Sequence, residues 1–356
     1  MRTRGGLRAQ GLSTPALVVD LGAMDRNMRR MAAFFQNLPA KLRAHFKGHQ
    51  VLSLALRQVQ AGAIGIACAR TEHAEKLVPA GVGSVLIANE ITGESAIRRF
   101  IELSRQSPVV VAVDSARVVA DMARLAGNHR FALNVVVDVN LGLNRCGVMP
   151  GAATVALAKV VLENGLRLRG LMGYRGNLKL PPGMEKEQQV TSAMQTLMAT
   201  RCMLQEQGIP VEMVSAGGTT DYSIVGAHPG ITEVQAGSYL LMDQWKTHFV
   251  ADFAPALSLL TTVLHRDDNG RVITDGGVKA LSAFRGLPKV KSIPGLALKA
   301  LHAEHCLMEI TDPSTRIEAG DQLEIWVEYV DATISRHREM YGLRNGNVEE
   351  IFEIEH

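Results

Sequence analysis

The stretch LRAHFKGHQ, residues 42–50, sets Arg43, His45, Lys47 and His49 at alternate positions. In an extended chain, alternate residues share a face. Four cationic or near-cationic groups on one face repel each other unless an anion sits among them. For Lys47, neighbouring cations and partial burial both favour the neutral amine, the form that attacks a carbonyl. A second constellation lies in SAGGTTDY (215–222) and AGSY (236–239). Gly217, Gly218 and Gly237 let the backbone approach an anion closely, while Thr219, Thr220 and Ser238 offer hydroxyl donors. Either segment alone reads as turn punctuation. Taken together they favour a phosphate group.

These residues need elements to position them. From Lys41 to about Tyr239, eight short apolar runs alternate with helical segments: LRAHFK, IGIACAR, SVLIANE, VVVAVDS, FALNVVVDVNLG, LRGLMGYRG, VEMVSAGG and TEVQAGSY. Continuous apolarity is the mark of parallel strands covered on both faces. Eight strand–helix repeats predict a (β/α)8 TIM-like barrel over 21–245. A doubly wound sheet also alternates, but no G-x-G-x-x-G follows the first run. After about Lys246 the texture becomes β-like, in runs such as DQLEIWVEYV (321–330) split by turn signals such as DDNG and RNG, and predicts an all-β domain over 246–356. The strand-like TPALVVD (14–20) is expected to join that domain, so residues 1–20 belong with it.

Barrel enzymes carry their chemistry at the C-terminal ends of the strands, with phosphate commonly held after strands 7 and 8. The first strand is expected to end at Lys47, the fifth near Arg145 and the sixth at Tyr174. The glycine segments follow the seventh and eighth. Strands 1 and 8 are neighbours in a closed barrel. A phosphate there, with a lysine at the end of strand 1, suggests pyridoxal 5′-phosphate held as a Schiff base on Lys47. Such a cofactor would also supply the anion that the basic stretch requires.

Composition narrows the class. The chain has 356 residues, is 47% hydrophobic, 21% charged and only 4% aromatic, and its formal net charge is +3. Few aromatics and no long basic run argue against a nucleic-acid partner. No segment reads as a signal peptide or a membrane span. Cys68, Cys146, Cys202 and Cys306 form no C-x-x-C pair, as expected of reduced thiols in a cytoplasmic protein.

The ordered set TPALVVDLGAMDRNM, R-x-H-x-K at 43–47, NRCGV, VSAGGT, E-x-Q-x-G-S-Y at 233–239, the EH of AEHC at 304–305, and DAT…H…YGLRNGNVEEI resembles the D-threonine aldolase / D-serine dehydratase family. That family is part of the alanine-racemase-like group of pyridoxal-phosphate enzymes. The resemblance implies Lys47 as the Schiff-base lysine. It implies Gly217, Gly218, Thr219, Gly237, Ser238 and Tyr239 as a phosphate cradle, and Arg145 and Tyr174 as neighbours of the cofactor ring. It also implies a homodimer acting on small amino-acid substrates.

One part of the pattern departs. Members needing a divalent metal such as Mg, Mn or Zn hold it near the C-terminus with His-x-Cys or His-x-Asp. The matching stretch here is WVEYVDAT (326–333), where Tyr329 replaces the histidine and Asp331 keeps the acidic position. A neutral phenol is a poor ligand for a divalent ion, and tyrosinate requires a large drop from a pKa of about 10. Asp331 and His305 could still contribute to a weak oxygen-rich site. Without a metal, Tyr329, Asp331, His305 and His49 are the candidate bases. The expected reaction is retro-aldol cleavage of D-configured 3-hydroxy amino acids to glycine and an aldehyde. Dehydration of D-serine or 3-hydroxyaspartate, and amino-acid racemisation, are the alternatives on the same scaffold. A non-catalytic cofactor carrier is disfavoured by the second domain, and a phosphate-binding barrel without pyridoxal phosphate is a further, weaker reading.

Overall fold

The computed structural model describes residues 8–127, 131–291 and 293–356. After β1 (Ala16–Asp20) and α1 (Leu21–Gln36), eight strands close into a parallel barrel: β2 (Lys41–His45), β3 (Gly65–Cys68), β4 (Val85–Glu90), β5 (Val110–Val113), β6 (Asn134–Val139), β7 (Arg167–Gly173), β8 (Met213–Ala216) and β9 (Glu233–Val234). Each of the eight apolar runs read from the sequence supplies one strand. The helices between them are α2 (Leu52–Gln60), α3 (Thr71–Leu77), α4 (Glu94–Gln106), α5 (Ala116–Ala126), α6 (Ala152–Glu163), α7 (Met184–Glu206) and α8 (Tyr222–Ala227). Helix α4 shows why they form: Ile97, Phe100 and Ile101 recur at helical spacing and are buried, while Arg98, Arg99 and Glu102 stay outside. Ala67, Leu86, Ala112, Val136, Met172 and Met213, one from each of β3 to β8, form a single buried cluster, the filling of the barrel.

The remainder is a sheet of eight strands. Its further members are β10 (Leu257–Arg266), β11 (Arg271–Thr274), β12 (Leu296–Leu301), β13 (Cys306–Ile310), β14 (Gln322–Trp326), β15 (Glu339–Arg344) and β16 (Asn347–Glu353), with the short helices α9 (Gln244–Thr247) and α10 (Val330–Ile334). Strand β1 pairs antiparallel with β10 and parallel with β15. The turn signals act as turns. Asn345 and Gly346 take φ of 51° and 78° between β15 and β16, which suits Asn-Gly-type hairpin chemistry.

The chain divides into two compact units. One comprises 31–47 and 55–237; the other comprises the described residues up to Arg30 together with 48–54 and 238–356. Residues 21–30 and 238–245 therefore group with the sheet.

Two local expectations need correction. The first barrel strand stops at His45, and Phe46–Gly48 turn as a 3-10 helix, so the alternation of basic side chains ends before Lys47. Likewise the last strand before Tyr329 stops at Trp326, and Asp331 lies in a one-turn helix. The Asp243 carboxylate accepts from the Val330 backbone N–H at 3.1 Å and stabilises that departure from the strand.

Candidate active site

Arg43 lies on β2 in register with Gly65, two residues from Ala67 of the interior cluster, so it points into the barrel. There it donates from Nε to Glu233 Oε1 at 2.7 Å and from Nη2 to Oε2 at 2.8 Å. A third contact goes to Ser84 Oγ at 3.0 Å. Gly65 makes the room, since a Cβ there would stand 2.6 Å from Arg43 Nη1. The anion that the basic stretch requires is thus, for Arg43, an internal carboxylate. A cofactor is not what balances it. His49 is fully buried and its Nδ1 accepts from the Val51 N–H at 3.0 Å. It is a structural acceptor in the other unit, not a fourth member of a basic face.

Lys47 stands apart from its neighbours. From Leu42 to Gln50 it is the only residue that is not buried. Its turn is anchored to the end of the barrel: the His45 N–H donates to Ala236 O at 3.0 Å, and Lys47 N–H donates to His45 Nδ1 at 3.4 Å. The same approach explains Gly237, whose Cβ would lie 2.5 Å from His45 O. The end of β2, carrying Lys47, and the end of β9, carrying Gly237, are therefore adjacent.

The loop after β8 is built for a close approach. Gly217 has φ +69° and a Cβ there would press on Val225 at 3.0 Å. The Gly218 N–H donates to Asp221 Oδ1 at 2.7 Å, and the Tyr174 ring lies 3.4 Å from where a Gly218 side chain would begin. Asp221 is buried, which pushes its carboxyl upward; the Gly218 N–H and the charges of Lys179 and Lys186 pull the other way. Lys186 is itself buried and donates to Thr220 O. The sequence singled out neither Lys186 nor Lys179. Together they put positive charge beside the Gly217–Thr219 segment, the surroundings a phosphate needs. The cradle fits the phosphate of pyridoxal 5′-phosphate. Ser238 and Tyr239 follow directly in the chain and are grouped with the sheet unit, where the Tyr239 ring is fully buried 5.6 Å from Phe253.

A third group also escaped the sequence reading. Glu90 at the end of β4, Asp114 after β5, Asp138 on β6 and Cys146 in the loop beyond it converge. Glu90, Asp114 and Cys146 each place a ligand atom within 4.8 Å of the others, the one such trio among the described residues. Burial first, then the charge and hydrogen bond of Glu90, push Asp138 up to about 8. At neutral pH Asp138 is thus mainly a protonated acid bonded to Glu90. Burial and the same Glu90 push the Cys146 thiol up to about 11. Arg145, the exposed ring neighbour implied by the resemblance, sits beside this cluster and counters its charge. The cluster comes from two strands and the segments that follow two strands, and no local motif could have announced it.

In the sheet unit, Tyr329 donates from its hydroxyl to Asp331 Oδ2 at 3.3 Å. Burial and then the Asp331 charge push the phenol upward, so it stays neutral. Lys246 and Arg285 lie over the Tyr329 ring, at 4.6 Å and 5.4 Å from its centroid. A neutral phenol among two cations does not suit a divalent ion, and the residues present do not fit the family's metal. His305 is exposed in the turn between β12 and β13, and no group of three ligands among the described residues unites it with Asp331.

Among the described residues, no helix is long and apolar enough to cross a membrane. Residues 19–244 match the family of the alanine racemase N-terminal domain, and residues 256–343 match the family described as "Putative serine dehydratase domain". The chain is 31% identical over 351 residues to a D-threonine aldolase from Arthrobacter sp., covering 96% of this chain and 92% of that one. It is 28% identical over 362 residues to a 3-hydroxy-D-aspartate aldolase from Paracoccus denitrificans, covering 98% and 93%. The crystal structure of D-threonine aldolase from Filomicrobium marinum superposes with a TM-score of 0.94 at 30% identity, covering 99% and 98%. D-threo-3-hydroxyaspartate dehydratase from Delftia sp. HT23, one variant of which is described in a metal-free form, superposes with a TM-score of 0.85 at 25% identity, covering 98% and 99%.

Proposed function

The chain belongs to the D-threonine aldolase / D-serine dehydratase branch of the alanine-racemase-like family, and from that premise we propose that it is a pyridoxal-phosphate-dependent lyase cleaving D-configured 3-hydroxy amino acids to glycine and an aldehyde. The observation that supports this most directly is similarity to a D-threonine aldolase along 96% of the chain at 31% identity. When bound, pyridoxal 5′-phosphate supplies an aldehyde for a lysine amine and an electron sink for bonds at an amino acid's α-carbon.

The chain's own residues supply the rest. Lys47 presents its amine from the turn after β2, tied through His45 to the end of β9. Gly218 keeps a side chain out of the space beside Tyr174, Gly217 and Gly237 allow the close packing on Val225 and His45 beneath it, and Thr219 brings a hydroxyl. Lys186 and Lys179 favour the phosphate charge. Tyr174 walls the Gly218 side of the cradle. Arg145 stands against the acids Glu90 and Asp138, where burial and the Glu90 charge favour the proton on Asp138. The proton of the substrate's β-hydroxyl must go to a base, and among the candidates Tyr329, Asp331, His305 and His49 we take Asp331, whose Oδ2 accepts from the Tyr329 hydroxyl. We further propose a cytoplasmic homodimer whose partners are small amino acids, not nucleic acid or membrane.

The test is a substrate panel of D-threonine, D-threo-3-hydroxyaspartate, D-serine and D-alanine. Glycine with an aldehyde from the 3-hydroxy substrates is the expected result. Keto acid with ammonia would make the enzyme a dehydratase, and loss of optical rotation without fragmentation would make it a racemase.

A further inference from the structure

The Tyr329–Asp331 pair sits beside a cation of the chain's own. Lys246 reaches Asp243 Oδ2 at 2.6 Å, and its side chain is 9% exposed while that of Asp243 is fully buried. Asp243 is held in turn by the Lys246 N–H at 2.8 Å and the Val330 N–H at 3.1 Å, so the carboxylate is fixed from both α9 and α10. The ammonium lies 4.6 Å above the Tyr329 ring centroid. Burial alone would favour the neutral amine, but the charges of Asp331 and Asp243 outweigh it and raise Lys246 above its ordinary value. Arg285 adds a second cation, 4.3 Å over the Trp245 ring. Glu328 is the next ionisable group to feel the Asp243 charge, and His248 and Lys289 in turn act on Glu328.

We propose that Lys246 is a resident cation at the Tyr329–Asp331 pair, standing where metal-dependent members of the family hold a divalent ion, and that this chain binds no such ion there. Two features change together. The residue matching the ligand histidine is a tyrosine, and a buried ammonium lies over that tyrosine's ring, whose hydroxyl donates to the retained aspartate. Either feature alone weakens a divalent site. An ion entering would have to displace a hydrogen-bonded ammonium or sit against it, and charges a few ångströms apart in a partly buried setting repel strongly. The pairing also differs from a merely structural salt bridge. Lys246 has Asp243 as a close partner, and its ammonium also lies over the ring of the tyrosine that donates to Asp331. The proposal rests on the family assignment but not on which reaction the enzyme performs.

The experiment is metal binding to the cofactor-loaded protein after EDTA dialysis. Manganese and zinc are titrated by calorimetry, bound metal is counted by elemental analysis, and the melting temperature is read with and without metal. Wild type is expected to take up no metal at Asp331 and to keep its melting temperature. Lys246→Met combined with Tyr329→His is expected to gain manganese affinity by at least about tenfold, whereas Lys246→Arg is expected to remain without metal. Stoichiometric metal in wild type that disappears in Asp331→Asn would overturn the proposal. Metal that persists in Asp331→Asn and disappears in Glu90→Gln would place the ion at the barrel cluster and support it. A Lys246→Arg variant that binds metal as tightly as the double variant would also overturn it. The wild-type measurement decides even where a variant fails to fold, and it does so whether or not the protein proves to be a lyase.

Discussion

Replacing Glu233 with glutamine keeps the side chain's shape and leaves Arg43 charged inside the barrel. The two side chains are 7% and 4% exposed, and two parallel N–H···O contacts at 2.7 and 2.8 Å join them. Removing one partner of such a pair typically costs about 3–5 kcal/mol, because a buried charge loses its counterion. Glutamine retains one oxygen able to accept from Nε, which places the expectation near about 3 kcal/mol. For a barrel unit of this size, a loss of that order lowers the melting temperature by about 6–12 °C. The assay is thermal and urea unfolding of wild type, Glu233→Gln and the double variant Arg43→Met/Glu233→Leu. The double variant removes both charges and should recover most of the loss. A cost below about 1 kcal/mol for Glu233→Gln, or a double variant as unstable as the single one, would refute the electrostatic reading.

Three further outcomes follow from the geometry. Gly237→Ala forces a Cβ to 2.5 Å from His45 O, so it should weaken cofactor binding about tenfold or more, read by cofactor fluorescence titration. Asp138 is raised above its unfolded value, so the native state holds the extra proton between about pH 4 and the folded-state value of about 8, and stability falls as pH rises through that window. Asp138→Asn should flatten the decline, measured as melting temperature against pH. Burial pushes the thiols of Cys68 and Cys306 up to about 12 while Cys202 is exposed. A thiol reagent should therefore label Cys202 first, and Cys68 and Cys306 only on unfolding, followed by mass spectrometry.

The barrel was legible because its strands are covered on both faces and so read as eight continuous apolar runs. The hairpin at Asn345–Gly346 was legible because left-handed φ values select those residues. What the sequence hid was pairing across distance. Arg43 and Glu233 sit at opposite ends of the barrel in sequence, and only closure of β2 on β9 makes them neighbours. Reading the basic stretch locally led to an anion supplied by a ligand, whereas a strand far along the chain supplies it for Arg43. The Glu90–Asp114–Asp138–Cys146 group and the Lys246–Asp243–Tyr329 group were hidden for the same reason. That Lys47, Gly217, Gly218 and Gly237 fall just beyond strand ends was readable from the eight runs, although the first strand stops two residues before Lys47.

Cofactor attachment at Lys47 is open to direct measurement. The protein loaded with pyridoxal 5′-phosphate is reduced with borohydride, digested and mapped by mass spectrometry. A phosphopyridoxyl group is expected on the peptide containing Lys47, absent from Lys47→Ala. A group carried instead on Lys186, Lys246 or another lysine, or no stable label on wild type, would contradict it.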